Sequence, residues 1–185
     1  MKVLLMLAAL TVAVNGQTFH FGCCPTPPVQ QDFDVGKYLG RWYEIAKLPA
    51  AFERGKCPQA NYSILQEGVI KVVNAELLQD GKVDSTEGQA TVTNPGEPAI
   101  LGVTFDNGVA DAPYWVISTD YASYSVVYSC TDYYGIFNVD FAWILSRSRS
   151  LPTNVFYQLR GDLESYGVSL SKMTLSDQIG CDAMP

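Results

Sequence analysis

The sequence predicts an all-β protein: an eight-stranded antiparallel up-and-down barrel with one C-terminal α-helix packed on its wall. Three observations carry this prediction. Short runs of β-branched and aromatic residues recur eight times between turn signals. The 11 Tyr, 8 Phe and 3 Trp residues are a heavy aromatic load, and aromatic side chains favour strands. One later stretch has helical spacing instead, and 185 residues suit a single domain.

The N-terminus is typical of a signal peptide. Lys2 supplies a positive charge, and Val3–Val14 form an apolar run of the usual length, about 7–15 residues. The run is too short to span a bilayer, which needs roughly 20 apolar residues. We therefore predict a signal peptide over 1–16, a mature domain over 17–185, and a secreted, extracellular protein.

The mature domain begins with a Pro-rich arm over 22–31, and Asp34 then caps a short turn over Val35–Leu39. The barrel is expected from about 40 to 147. Its predicted strands are Arg41–Lys47, Ala60–Leu65, Val69–Leu78, Val83–Thr93, Ala99–Phe105, Tyr114–Thr119, Tyr124–Thr131 and Phe137–Ser146. This even spacing indicates an up-and-down sheet, and eight strands close into a barrel wide enough for one small ligand.

The predicted helix covers about 152–166. Val155, Leu159 and Leu163 recur at intervals of four and form an apolar stripe that would pack against the barrel. Val168–Thr174 is expected to form a last edge strand.

Charge and closure limit the function. A net charge of −7 argues against nucleic acid, which requires clustered Lys and Arg, and against simple electrostatic docking on anionic lipid. A closed sheet surrounds a cavity without exposing an edge, and an empty cavity costs stability. A barrel that keeps a cavity is therefore expected to hold a ligand.

The mature chain would carry its cysteines into an oxidising compartment. These are Cys23, Cys24, Cys57, Cys130 and Cys181. An odd number leaves at least one unpaired or paired with another chain, and spacing alone does not fix the connectivity. Because the cysteines are dispersed and His20 is the single histidine, we expect neither a metal site nor a cofactor.

Three motifs resemble the signatures of the lipocalin family. The first is G-x-W within KYLGRWYE, the second is T-D-Y between the sixth and seventh strands, and the third is an Arg just after the eighth strand. Their residues are Gly40, Trp42, Thr119, Asp120, Tyr121 and Arg147. We expect these residues to be scaffold, with Trp42 plugging the closed end, Arg147 across its ring and Asp120 nearby.

The resemblance implies a pairing of Cys24 with Cys130 and of Cys57 with Cys181. Each bridge would close a loop of roughly a hundred residues, which the chain-entropy model rewards with about 4–5 kcal/mol. Cys23 would then be left to pair between chains or to exchange with Cys24.

Alternation sends every second side chain of a strand inward. Asn74 and Glu76 share one face of the third strand, and a polar group inside a barrel needs a partner that a ligand can supply. The resemblance implies that Asn74 and Trp143 face the ligand. The expected binding residues are Tyr62, Asn74, Glu76, Phe105, Tyr114 and Trp143. The alternatives are core packing for Trp143 and a solvated face for Glu76. Asn61 begins an N-glycosylation sequon at a position where the family has one.

These observations favour a secreted, non-enzymatic carrier of a lipid-like ligand: a fatty acid such as arachidonate, a steroid such as progesterone, or a retinoid. A bilin or carotenoid carrier is an alternative, because YSCTDYY and ILSRS resemble pigment-carrying lipocalins. A lipocalin enzyme would need a free thiol facing the pocket. A third alternative is an interaction module whose barrel is filled by side chains.

Two expectations concern partners. The open end of the barrel could touch a membrane or a lipoprotein particle, although the loop Asp106–Pro113 is small and fairly polar. The expected assembly is a monomer or a weak oligomer.

Overall fold

The computed structural model describes residues 18–105 and 112–185. The predicted signal peptide over 1–16 and most of the loop Asp106–Pro113 lie outside the described residues. A short strand β1 (Thr18–Phe21) and a one-turn helix α1 (Val35–Tyr38) come before the barrel. The side chain of Asp34 accepts a hydrogen bond from the N–H of Lys37 and caps α1, as the sequence predicts.

Eight antiparallel strands form the barrel, and they confirm the predicted fold class. They are β2 (Gly40–Lys47), β3 (Lys56–Gln66), β4 (Val69–Leu77), β5 (Val83–Val92), β6 (Ile100–Phe105), β7 (Ala112–Thr119), β8 (Tyr124–Tyr133) and β9 (Phe137–Ser146). Each strand pairs with the next, and β9 pairs back onto β2 to close the sheet. The helix α2 (Thr153–Ser165) and a two-residue strand β10 (Thr174–Leu175) follow.

The strand β3 begins earlier than predicted, because Pro58 does not interrupt it. The register between β3 and β4 shifts between Lys56 and Gln59, and Pro58 lies in that irregularity. A proline is tolerated in a sheet at such a site because it has no N–H to donate to the ladder.

Two hydrophobic clusters divide the molecule. The inner one fills the closed half of the barrel and includes Trp42, Tyr62, Val72, Val116 and Val127. The outer one lies between the barrel wall and α2, where Ile144 and Tyr128 meet Leu159 and Leu163. The apolar stripe of α2 therefore packs on the barrel, as predicted.

The predicted edge strand over Val168–Thr174 is wrong in its bounds. Val168 and Leu170 are buried in the outer cluster without a ladder, and the strand is Thr174–Leu175. It pairs with Lys47 and Ala46 of β2, beyond the part of β2 that pairs with β3. The N–H of Ser176 then donates to the carbonyl of Ile45 at 2.9 Å and continues the contact with β2 beyond the two ladder residues.

The strand β1 uses β9 in a similar way. The barrel partner β2 pairs with the last four residues of β9, and β1 pairs with Phe137–Asp140 at its beginning. The N-terminal arm after β1 is tied down by the disulfide Cys24–Cys130. A second disulfide, Cys57–Cys181, ties the C-terminal tail to the start of β3. Both pairings are those that the family resemblance implies.

Candidate ligand-binding site

The closed end of the barrel is sealed around Trp42, which has no exposed surface. The indole N–H donates to the carbonyl of Tyr38 at 2.9 Å. The guanidinium of Arg147 lies over the ring, with Cζ 3.7 Å from a ring centroid. Gly40 has φ +93°, a conformation that favours glycine, and a Cβ there would stand 3.4 Å from Nη1 of Arg147. These residues close the barrel and leave no opening at this end for a ligand.

The T-D-Y residues form the turn that supports this seal. Thr119 Oγ1 donates to the carbonyl of Tyr124 at 2.7 Å and accepts the N–H of Tyr121 at 2.9 Å. The carboxylate of Asp120 accepts the N–H groups of Ser123 and Tyr124. Partial burial acts to raise the pKa of Asp120, but these hydrogen bonds outweigh it and hold the pKa below its usual value. The Asp120 carboxylate is thereby committed to the turn.

A chain of tyrosine hydroxyls forms the floor of the interior. The hydroxyl of Tyr114 lies 2.8 Å from that of Tyr62 and 3.1 Å from that of Tyr38. The chain ends at Ser125 Oγ, 3.0 Å from the Tyr38 hydroxyl. Burial raises the pKa of Tyr38 to about 12, and it also raises the pKa values of Tyr62 and Tyr114. The floor is therefore polar but uncharged.

Above the floor, inward-facing side chains keep accessible surface. Asn74 lies on the same face of β4 as the buried Val72, and it is half-buried. Phe105 and Trp143 pack against the inner cluster and are half-buried as well. Thr86 is in register with Asn74, so it points inward too, yet it is exposed. Inward side chains with accessible surface indicate that the upper half of the barrel is open to solvent.

The predicted binding residues occupy two levels of this interior. Tyr62 and Tyr114 belong to the floor, whereas Asn74, Phe105 and Trp143 line the upper half. Phe105 has room because its partner in register is Gly88, where a Cβ would stand 2.7 Å from the ring.

Glu76 faces inward and is buried, but its carboxylate is already used. It accepts the N–H of Arg54 at 2.9 Å and that of Gly55 at 2.7 Å. Glu76 therefore anchors the loop between β2 and β3, and neither a solvated face nor a free ligand contact describes its position.

Three residues at the open end of the barrel, which we call the mouth, were not predicted from the sequence. They are Lys47, Glu53 and Phe141. Lys47 forms an ion pair with Glu53 of the β2–β3 loop, and Glu53 Oε1 accepts the indole N–H of Trp143 at 3.2 Å. Phe141 stacks on Trp143 with ring centroids 5.8 Å apart. Alternation from Trp143 would have found Phe141. Lys47 is hidden by a register shift between Glu44 and Ala46, which places Ile45 and Ala46 together in the outer cluster.

Burial and neighbouring charges together shift the pKa values of the ionisable side chains at the mouth. Desolvation acts to lower the pKa of Lys47, but the carboxylates of Glu44 and Glu53 outweigh it and raise that pKa. Burial, and then the charge of Glu53, raise the pKa of Glu44 well above its usual value. The neighbouring carboxylates therefore favour the charged form of Lys47, whereas burial acts against the ionised form of Glu44.

The remaining predicted sites lie outside the barrel cavity. Asn61 is exposed on the outer face of β3. Cys23 is exposed in the N-terminal arm and is the one unpaired cysteine of the five. Within residues 18–105 and 112–185, no cluster of three or more His, Cys, Asp or Glu side chains is arranged for a metal ion. Neither described helix is long and apolar enough to cross a membrane.

Comparison with protein families places this architecture. Residues 33–178 match the lipocalin-like domain. The chain belongs to the lipocalin family. It is 53% identical to apolipoprotein D of Cavia porcellus over 176 residues, covering 95% of this chain and 93% of the relative. It is 30% identical to the Lazarillo protein of Schistocerca americana, covering 93% of this chain and 81% of the relative. The stretches GRWYEIAKLP and APYWVISTDY resemble apolipoprotein D in particular.

Solved lipocalin structures share the fold. The chain superimposes on lobster apocrustacyanin A1 with a TM-score of 0.75 and 24% identity, covering 86% of this chain and 91% of that one. Insecticyanin of Manduca sexta gives a TM-score of 0.72 with 28% identity, covering 88% and 89% of the two chains. At 24% identity, the likeness to apocrustacyanin A1 shows a shared fold and nothing more.

Proposed function

We propose that the protein is a secreted carrier that holds one small hydrophobic ligand in the upper half of its barrel. The observation that supports this most is the inward face above the tyrosine floor. There, Asn74, Phe105 and Trp143 keep accessible surface while the closed end is sealed by Trp42. Membership of the lipocalin family, with apolipoprotein D among the relatives, supports the same function.

The ligand class follows from the lining. Aromatic side chains offer apolar area, worth about 25 cal/mol per Å² buried before ordering costs. Asn74 supplies one polar contact on the inner face, and the tyrosine hydroxyls supply others at the floor. An amphipathic lipid fits this distribution: a fatty acid such as arachidonate, a steroid such as progesterone, or a retinoid.

A fluorescence titration tests the carrier function. Trp143 faces the interior, whereas Trp115 packs with Tyr128 in the outer cluster, so the two tryptophans form a matched pair. We expect arachidonate, progesterone or retinol at micromolar concentration to change the tryptophan emission. Trp143→Phe should abolish that change, and Trp115→Phe should keep it. If no lipid, steroid or bilin alters the emission of the unsubstituted protein, the carrier function is wrong.

A conjugated pigment, a bilin or a carotenoid, is the second candidate ligand. The chain resembles pigment-carrying lipocalins in the stretches YSCTDYY and ILSRS, and it is 32% identical to insecticyanin-B of Manduca sexta, covering 80% of this chain. A pigment bound in the native protein would give the purified material a visible absorption band, whereas a colourless lipid would be found by mass spectrometry of an organic extract.

The arrangement of thiols supports a carrier over a thiol-dependent enzyme. Cys57 and Cys130 are in disulfides, and Cys23 is exposed in the arm. Counting thiols under denaturing conditions without reductant checks this, because more than one free thiol per chain would restore the enzyme alternative.

Secretion and glycosylation are part of the same proposal. Two disulfides suit an oxidising compartment, and Asn61 is exposed on the outer face of β3, where a glycan can project into solvent. Intact mass of protein from the medium of a eukaryotic host, with and without N-glycosidase, tests both.

We further propose a monomer or weak oligomer that can present its open end to a membrane or lipoprotein particle, to be measured by sedimentation with and without lipid vesicles.

A further inference from the structure

The mouth of the barrel is occupied by a carboxylate of the protein itself. Glu53 belongs to the loop between β2 and β3, and its Oε2 forms an ion pair with Lys47 Nζ. Its other oxygen, Oε1, accepts the indole N–H of Trp143 at 3.2 Å. The side chains of Lys47 and Glu53 are only 15% and 18% exposed. One carboxylate therefore satisfies two donors that face the ligand cavity.

Lys47 points into the barrel because of the register shift in β2. It is in register with Trp143 of β9, so the two side chains lie on the same face of the sheet. A cation on the inner wall of an apolar barrel is costly to bury unless it is paired. Lys47 therefore needs a negative partner, and a ligand carboxylate can bind there only if that partner is able to move away.

Three carboxylates lie near Lys47, and they differ in how firmly they are held. Glu44 Oε1 is 3.6 Å from Lys47 Nζ, but Glu44 is buried and hydrogen-bonded to Ser176. Glu76 accepts two backbone N–H groups of the loop. Among the described residues the Glu53 carboxylate contacts side chains alone: it is bound by Lys47 and the Trp143 indole and is hydrogen-bonded to the carboxyl of Glu44. Because no backbone N–H of the loop holds it, Glu53 is the partner that another carboxylate can replace.

The loop allows this exchange because its ends are fixed independently of Glu53. The N–H of Leu48 donates to the carbonyl of Ala142 at 2.9 Å at one end. The N–H groups of Arg54 and Gly55 are held by Glu76 at the other. Rotation of the Glu53 side chain would uncover Lys47 and Trp143 without unfolding the loop.

We propose that Lys47 Nζ and the Trp143 indole N–H are the carboxylate-binding site of the barrel, and that a ligand carboxylate binds by replacing Glu53. The exchange keeps the charge and the hydrogen bonds unchanged, because the ligand carboxylate has the same negative charge and two acceptor oxygens as the carboxylate of Glu53. The hydrocarbon chain of the ligand would extend past Phe105 toward the tyrosine floor. This inference rests on the proposed carrier function and narrows its ligands to lipids that end in a carboxylate.

A matched pair of probes tests this: cis-parinaric acid, which is fluorescent, and its methyl ester, which has the same chain without the charge. The unsubstituted protein should bind the acid more tightly than the ester. Lys47→Met should weaken binding of the acid by about tenfold or more and leave the ester unchanged. Glu53→Gln should strengthen binding of the acid several-fold, because it removes the competing charge while keeping an acceptor for Trp143.

The controls come from an ion pair on the outer wall of the same barrel. Lys71 Nζ lies 2.8 Å from Glu87 Oε2, on the side of β4 opposite to Asn74. Lys71→Met and Glu87→Gln should leave the affinity for both probes unchanged. If they alter the preference for the acid as much as the mouth variants do, overall charge explains the preference and the inference is overturned.

Lys47→Met alone leaves the carboxylate of Glu53 without its cation and could misfold. The double variant Lys47→Met with Glu53→Gln removes both charges of the pair and avoids this problem. It should bind the ester like the unsubstituted protein and have lost the preference for the acid. A preference that survives in the double variant overturns the inference. Binding of the ester with no preference for the acid by the unsubstituted protein also overturns it while leaving the carrier function intact. If neither probe, nor any neutral steroid, binds the unsubstituted protein, the carrier function itself fails.

Discussion

The guanidinium of Arg147 stands 3.7 Å from the ring of Trp42 and joins it to the backbone around it. Its nitrogens donate to the carbonyls of Lys37, Leu39, Arg41 and Tyr121 at 2.7–3.1 Å, and to that of Tyr38 at 3.2 Å. The same carbonyl of Tyr38 accepts the indole N–H of Trp42. One side chain therefore connects α1, β2 and the turn before β8, and the seal of the closed end depends on it.

Replacing this guanidinium should destabilise the whole barrel. Arg147→Met loses the cation–π contact and leaves several carbonyls without donors, so we expect the free energy of unfolding to fall by about 2–5 kcal/mol. Arg147→Lys should lose most of this as well, because an ammonium cannot reproduce the planar fork. Urea titration gives the values. Arg160→Met is the control, since Arg160 forms a surface pair with Glu164 one turn away in α2 and should change stability by no more than about 0.5 kcal/mol. An equal loss in the two methionine variants would contradict this role of Arg147.

The closed end could be predicted from sequence and the mouth could not, for a physical reason. The resemblance to the lipocalin signatures implied the roles of Gly40, Trp42 and Arg147. These roles depend on residue type, because glycine tolerates the positive φ and a guanidinium can donate to several carbonyls at once. Strand alternation placed Asn74 and Glu76 on one face, and the family resemblance implied that Asn74 and Trp143 face the ligand. Both Asn74 and Trp143 lie in regular stretches of ladder, where no register shift disturbs the alternation.

Lys47 and Glu53 could not be predicted as residues of the mouth, because neither lies in a regular stretch of strand. Alternation counted from Trp42 places Lys47 on the outer face, and one register shift between Glu44 and Ala46 reverses that assignment. Glu53 lies in a loop, where periodicity carries no information about direction. Glu76 was predicted as a ligand contact because its strand position is correct, but its hydrogen bonds to Arg54 and Gly55 depend on that same loop.

The tyrosine floor should make the protein sensitive to alkali. Burial raises the folded-state pKa of Tyr38 to about 12, and an unfolded tyrosine titrates near pH 10. A folded-state pKa above the unfolded one gives stability that is complete below pH ~10 and is lost as the pH rises toward about 12. For Tyr38 alone the loss is on the order of 2–3 kcal/mol.

Urea titrations between pH 8 and the alkaline limit would measure this loss, together with the ultraviolet absorbance of tyrosinate. Tyr62→Phe should reduce the alkaline loss, because one buried hydroxyl of the network no longer titrates. Tyr157→Phe is the control, since Tyr157 is 61% exposed on α2. Ionisation of all tyrosines near pH ~10 with the barrel still folded would show that the floor is not buried.

Two glycines should respond oppositely to alanine. Gly88 faces Phe105 across the ladder, and a Cβ there would stand 2.6 Å from the carbonyl oxygen of Thr104 and 2.7 Å from the Phe105 ring. Gly88→Ala should therefore cost about 1–3 kcal/mol of stability and push the ring of Phe105 into the ligand cavity, which weakens ligand binding. Gly161 lies in α2 with open space around it, so Gly161→Ala should stabilise by about 0.5–1 kcal/mol. Thermal unfolding of both variants decides, and a gain in stability for Gly88→Ala would mean that β5 and β6 are less closely packed than this.

The two disulfides should leave one free thiol, that of the exposed Cys23, available to alkylating reagents. The native protein should take up a single alkyl group, at Cys23, and Cys23→Ser should take up none and unfold at the same urea concentration. Replacing both Cys57 and Cys181 with serine removes a bridge across 124 residues and should cost about 3–5 kcal/mol. That bridge also anchors the C-terminal tail covalently, beside the contact of Met184 with Leu77. The double serine variant should therefore lose its tail to carboxypeptidase while the barrel stays intact, and a tail that remains protected would mean that the contacts of Met184 and Gln178 hold it without the bridge.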